Sequence, residues 1–123
     1  MAAKDEVGRR GEQLAAQFLE KNGYRILDRN WRGVGGELDA VALDGRVLAA
    51  VEVKTRSSAR FGHPFEAVTP AKLARIGRLL GQWLASNSPN TRPRYVELRI
   101  DVVSVLLPPD GIPTIELIKG VSL

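Results

Sequence analysis

The chain has 123 residues, 44% of them hydrophobic and 26% charged, which suits one soluble globular domain with its own core. It has no cysteine and one histidine, His63, which excludes disulfides, thiolate metal sites and a histidine-based metal cluster. The net charge of +4 is concentrated between Lys54 and Arg78, where six bases stand against one acid, Glu66. The start, "MAAKDEVGRRGEQ", has no signal-peptide core, and no apolar run is long enough to span a bilayer. The sequence therefore predicts a cytoplasmic protein with no membrane partner.

In chain order, a helix is expected from Asp5 or Glu6 to Asn22, with Val7, Gly11, Leu14, Ala15 and Phe18 on one face and Leu19 at its edge. Gly23 stops it. "YRILDRNW" reads as a strand and Gly33 to Gly36 as a glycine-rich turn. Two strands follow, Glu37–Leu43 and Arg46–Lys54, joined by the hairpin signal Asp44-Gly45. Ser57 to Thr69 reads as a long loop. Thr69 then caps a second helix opened by Pro70, with Leu73, Ile76, Leu80, Trp83 and Leu84 as its apolar stripe. "RYVELRIDVVSVLL" and "PTIELI" are the last strands. Helices packing on a mixed sheet are expected.

If Asp44-Gly45 is the two-residue turn, Leu43 pairs with Arg46, Asp39 with Ala50 and Glu37 with Glu52. One face then holds Leu38, Ala40, Ala42, Val47, Ala49, Val51 and Val53 and must be covered. The other holds Glu37, Asp39, Glu52 and Lys54 beyond Val41, Leu48 and Ala50. Asp39 and Glu52 become diagonal neighbours, with Lys54 next along. Carboxylates so placed repel each other unless a cation sits between them. A hard divalent ion takes one or two carboxylates and fills its shell with water and phosphate oxygens. An adjacent lysine can orient a water or stabilise charge on a phosphate. This set suits metal-assisted phosphodiester hydrolysis. The plainer reading is a solvated edge face with a Glu–Lys pair.

Asp39 followed by "EVK", Glu52 to Lys54, resembles the PD-(D/E)XK nuclease signature, with Leu38 where the signature has proline. The wider pattern is "GRRGEQLAAQFLEKNGYRILDRNWR", "GELDAVALDGRVLAAVEVKTR" and "FGHPFEAVTPAKLARI". It is similar to the bacterial YraN-like family of small uncharacterised proteins, grouped with archaeal Holliday-junction resolvases. The similarity runs from Gly8 to Ile76, and "RIDVVSV" fits a later strand.

The resemblance implies a restriction-endonuclease-like α/β domain over residues 1–123. Its mixed β-sheet would be flanked by helices in the order α-β-β-β-α-β-β. It implies a metal-dependent endonuclease acting on DNA, with branched DNA as one option. Asp39 and Glu52 would hold Mg²⁺ or Mn²⁺, and Lys54 would act on the water or phosphate. Glu12 would be a helical carboxylate near the metal, although the residues alone favour a solvated position for it. The alternative is the same fold without turnover, binding nucleic acid or a protein.

Arg56 follows the motif and is expected at a phosphate. Lys72, Arg75 and Arg78 recur every three residues on the second helix and are expected along a nucleic-acid backbone, with a solvated basic face as the alternative. Glu37 is either metal-proximal or simply polar at a strand start. Asp101 is expected to be buried and paired with a base such as Arg99, His63 to lie at the surface, and Trp31 and Trp83 to serve the core or an interface. A homodimer would allow two strands to be cut symmetrically.

Overall fold

A computed structural model describes residues 3–58 and 68–121. Its elements are helix α1 (Ala3–Lys21), strands β1 (Tyr24–Gly33), β2 (Gly36–Asp44) and β3 (Val47–Arg56), helix α2 (Pro70–Ser86), and strands β4 (Glu97–Leu106) and β5 (Thr114–Ile118). The strands form one sheet in the order β1-β2-β3-β4-β5. The pair β3–β4 is parallel, and the other pairs are antiparallel. The crossover through α2 permits the parallel pair.

Side-chain alternation on β3 divides the core. Ala49 and Val51 join Ala15, Leu19, Tyr24 and Val103 under α1, whereas Leu48 and Ala50 join Ile76, Leu79, Leu80 and Trp83 under α2. The helices therefore cover opposite faces.

On α1 the buried residues are Gly11, Ala15, Ala16 and Leu19, while Val7 is exposed. The stripe is rotated from the expected one, and Leu19 is central rather than marginal. Small residues face the sheet because the helix lies close to it. On α2, Thr69 Oγ1 accepts the Lys72 N–H at 3.2 Å, as a capping residue should. Leu79 joins the expected buried stripe and Leu84 is only half-buried.

The β2–β3 hairpin closes at Asp44↔Val47, and Gly45 takes φ +62 in the turn. The pairs are therefore Leu43↔Leu48 and Val41↔Ala50, two residues from the expected register. Glycine supplies the positive φ at the first loop position, so Gly45-Arg46 is the loop and Asp44 stays in the strand. A slip of two preserves alternation, so most of the expected faces survive.

Leu38 is the exception. It packs in the α2 cluster with Val41 and Leu48, whereas Ala40 and Ala42 lie under α1. Residues two apart share a face in a regular strand, so β2 must rotate as it passes Asp39. Across from it, Asn30 sits between the pairs Arg29↔Ala40 and Trp31↔Leu38 with φ 51. Both strands bend at this level.

The other end of the sheet is clamped. Asp101 is fully buried and accepts from Tyr24 Oη at 2.6 Å, Arg99 Nε at 2.7 Å and the Gly120 N–H at 3.0 Å. Arg99 Nη2 also reaches Asp44 at 2.7 Å, and Lys119 Nζ joins Asp44 at 2.9 Å. Burial, then the Asp101 carboxylate, push the Tyr24 phenol up. Hydrogen bonds from Arg99 and Lys119 pull Asp44 down. The expected Asp101–Arg99 pair is present. It ties β1, β2, β4 and the tail together.

Trp83 is a core residue whose Nε1 donates to Asp28 Oδ2 at 3.0 Å, and Trp31 packs half-buried against the same cluster. Among the described residues no helix is long and apolar enough to cross a membrane. His63 and most of the expected Ser57–Thr69 loop lie outside the described residues.

Candidate metal and phosphate site

The site lies where β2 and β3 part. Their ladder ends at Ala40↔Val51, while β2 stays paired with β1 as far as Gly36 and β3 with β4 as far as Arg56. Beyond Val51 the sheet forks. Asp39 Oδ2 accepts the Val53 N–H at 2.8 Å, so its side chain replaces the next ladder bond. This satisfies a backbone donor that would otherwise be unpaired at the fork.

Glu12 and Glu37 converge on the same point. One carboxylate oxygen each from Glu12, Glu37 and Asp39 lie within 4.8 Å of one another. Glu12 is carried in by α1, and the close approach is set by Gly11. A Cβ at Gly11 would collide with the Thr55 side chain, so glycine there allows α1 to rest directly on β3. Asn30 holds the Glu12 carboxylate, with Nδ2 3.1 and 3.2 Å from its two oxygens. Asn30 can do so from its left-handed backbone, which asparagine tolerates better than most residues. Glu37 is steadied by Arg32 at 3.4 Å.

Nearby like charges make a carboxyl harder to ionise. Burial, then the Glu52 carboxylate, push Asp39 up to about 7; Glu12 and Glu37 push the same way, and the Val53 N–H opposes them. A divalent cation would relieve that repulsion. The donors are all hard carboxylate oxygens, which match Mg²⁺ or Mn²⁺ and not a soft metal.

Glu52, expected beside Asp39, is the carboxylate that acts on it most; it lies outside the three-carboxylate cluster and is paired with Lys72 Nζ at 2.9 Å. Alternation turns it to the α2 side of β3, while the bend at Asp39 aims that carboxylate towards α1. Lys72 is therefore engaged at the sheet. Of the expected row of three bases, Arg75 and Arg78 are exposed while Lys72 is held by Glu52.

Beside the acids is a cavity of about 770 Å³ lined by Arg9, Glu12, Lys54, Thr55, Arg56 and Ser57, among others. Lys54, two residues past Glu52 and on the same face of β3, is among the residues that line it. Among the described residues, Arg56 Nε is the buried side-chain polar atom without a hydrogen-bond partner. Arg56 also lines the cavity as a residue, while its Nε is sealed from solvent.

The structure thus brings Glu12 and Asp39 of the expected residues together with Glu37, keeps Glu52 electrostatically beside Asp39 while pairing it with Lys72, and puts Lys54 and Arg56 in the cavity lining. Sequence reasoning missed Asn30. The signal available was an asparagine interrupting the alternation of "YRILDRNW", a residue type suited to left-handed backbone.

A family model described as "Uncharacterised protein family UPF0102" matches residues 11–105. A "UPF0102 protein" of Beutenbergia cavernae is 51% identical over 122 residues, covering 99% of this chain and 100% of that protein. One from Arthrobacter sp. (strain FB24) is 53% identical with the same coverage. A third, from Paenarthrobacter aurescens, is 53% identical over 123 residues, covering 98% of this chain and 97% of its own length.

Proposed function

The chain belongs to the Uncharacterised protein family UPF0102, and we propose that it is a divalent-cation-dependent endonuclease with a restriction-endonuclease-like fold. Its substrate would be nucleic acid, DNA by preference, with branched DNA as one option. The observation that carries this reading is the fork, where Glu12, Glu37 and Asp39 converge beside a cavity lined with bases.

Asp39, with Glu12 and Glu37, would hold Mg²⁺ or Mn²⁺, and Glu52, the carboxylate that acts most on Asp39, would join them on release from Lys72. Such an ion, when bound, polarises a phosphoryl oxygen and lowers the pKa of a bound water. The chain's own residues supply the rest. Arg56, which lines the cavity, would bring a positive charge to a phosphate there. Lys54 brings a positive charge to the cavity, where it can orient a water or stabilise charge developing on the phosphate. Asn30 fixes the Glu12 carboxylate so that it need not reorganise. Asp39 is anchored by Val53, leaving its second oxygen for the cation.

The test is cleavage of four-way, flapped and single-stranded DNA by highly purified protein in Mg²⁺, Mn²⁺ or EDTA. The wild type should cut only with the divalent ion. Lys54→Ala should lose about 100- to 1,000-fold in rate while retaining DNA binding. Activity that survives EDTA or the Lys54 substitution would sink the mechanism. A second reading, a binding module without turnover, draws on the pairing of Glu52 with Lys72. A clean protein that binds these substrates and never cuts them would establish it.

A further inference from the structure

Lys72 stands where local rules give it no support. It lies in the first turn of α2, which holds no acidic residue. The helix dipole makes that end positive, which favours an anion and disfavours an ammonium group. Conflicts between local preference and position concentrate at functional sites. One and two turns further on, Arg75 and Arg78 are exposed, while the Lys72 side chain is 22% exposed and turned onto Glu52, itself 15% exposed. The pair neutralises one of the carboxylates around the fork.

We propose that Lys72 is a positioning residue of this site: it holds Glu52 until a divalent cation takes its place, and then moves to a substrate phosphate. This rests on the reading of the fork as a metal and phosphate site. An ammonium group and a divalent cation repel each other on one carboxylate, so occupation by the second loosens the first. The lysine stem is flexible and its head is a compact charge with three donors, suited to exchanging one oxygen anion for another. The nearest alternative anion in the complex is the nucleic-acid backbone. Lys72 thereby links the two ligands. Cation binding frees an ammonium for phosphate, and phosphate binding frees Glu52 for the cation. By linkage each tightens the other by the same factor.

Calorimetry with Mn²⁺ tests this on the full chain as wild type, Lys72→Gln, Lys72→Arg and Arg78→Gln, alone and with a phosphorothioate DNA duplex. Alone, Lys72→Gln should bind Mn²⁺ about three- to tenfold tighter than wild type, the scale of a half-buried ion pair. Lys72→Arg, which can keep the pair, should stay close to wild type. Arg78→Gln removes the same charge elsewhere on α2 and should shift affinity less. The duplex should tighten Mn²⁺ binding by wild type, and by clearly less in Lys72→Gln. Equal shifts in Lys72→Gln and Arg78→Gln, or a coupling that survives Lys72→Gln, would overturn the role of Lys72 while leaving the metal site standing. No Mn²⁺ binding by any form would remove the metal reading and this inference with it.

Discussion

Asp39 is a carboxyl group whose burial and acidic neighbours disfavour its charge more than the Val53 N–H favours it. Its folded-state pKa of about 7 lies above the ordinary value near 3.9. Between roughly pH 4 and 7 the native state therefore binds a proton that the unfolded chain has lost, and this group's contribution to stability falls as pH rises. The penalty is complete above about pH 7 and absent below about pH 4. Asp39→Asn keeps an oxygen for the Val53 N–H and removes the charge. Without divalent ions the variant should be more stable than wild type at pH 8, by an amount on the order of 2 kcal/mol, with the gap closing towards pH 4. Urea unfolding of both proteins from pH 4 to 8 checks this, and a gap that does not change with pH would disprove it. Asp39, Glu52 and Lys54 were legible from an acid and a Glu-x-Lys on adjacent strands. Asn30 and the engagement of Lys72 were not. Both depend on contacts between elements distant in the chain, and on a bend that alternation cannot encode.

At the scale of elements, two glycines on one helix should behave in opposite ways. Gly8 has nothing within 4 Å of where a Cβ would be, whereas Gly11 is pressed against the Thr55 side chain. Gly8→Ala should stabilise the helix by about 0.5–1 kcal/mol, as expected for relief of a mid-helix glycine. Gly11→Ala should cost about 1–3 kcal/mol through overpacking and lift α1 off β3. Because Glu12 rides on that contact, Gly11→Ala should also weaken Mn²⁺ binding, and Gly8→Ala should not. Thermal unfolding and a Mn²⁺ titration of both variants provide the check. If both alanines stabilise, the close approach of α1 is not what places Glu12. The seven elements themselves were legible, since periodicity, caps and glycine turns agree with one another along the chain. The hairpin register was not, because Asp44-Gly45 and Gly45-Arg46 are both acceptable loops and only the position of the positive φ separates them. Leu38 followed the bend at Asp39, and its change of face could not be read from alternation.

Over the whole molecule, charge is distributed so that carboxylates at one end of the sheet are matched by cations, while those at the other end crowd one another. The carboxylates of Asp101 and Asp44 are matched by Arg99 and Lys119. At the fork, acids gather on one side and the bases Arg9, Lys54 and Arg56 line the cavity, with Arg75 and Arg78 exposed on α2. The Arg75 stem passes close to Gly36, where a Cβ would lie 3.6 Å from its Cδ, so this base sits beside the β1–β2 turn next to Glu37. A polyanion along the exposed side of α2 would meet Arg75 and Arg78, and one in the cavity would meet Arg9, Lys54 and Arg56. Each phosphate they neutralise releases counterions and steepens the fall of affinity with salt by about 0.9 in log–log slope on duplex DNA. Charge reversal at both Arg75 and Arg78 should weaken binding and flatten that slope by about 2. Lys72→Glu would mix this effect with loss of the Glu52 pair, so Lys72 is not a clean probe of backbone contact. Fluorescence anisotropy with labelled duplex and four-way DNA across a series of NaCl concentrations measures the slope directly. An unchanged slope in the double variant would assign these two arginines to a solvated face. Absence of binding by wild type at low salt would remove nucleic acid as the partner of this end of the molecule.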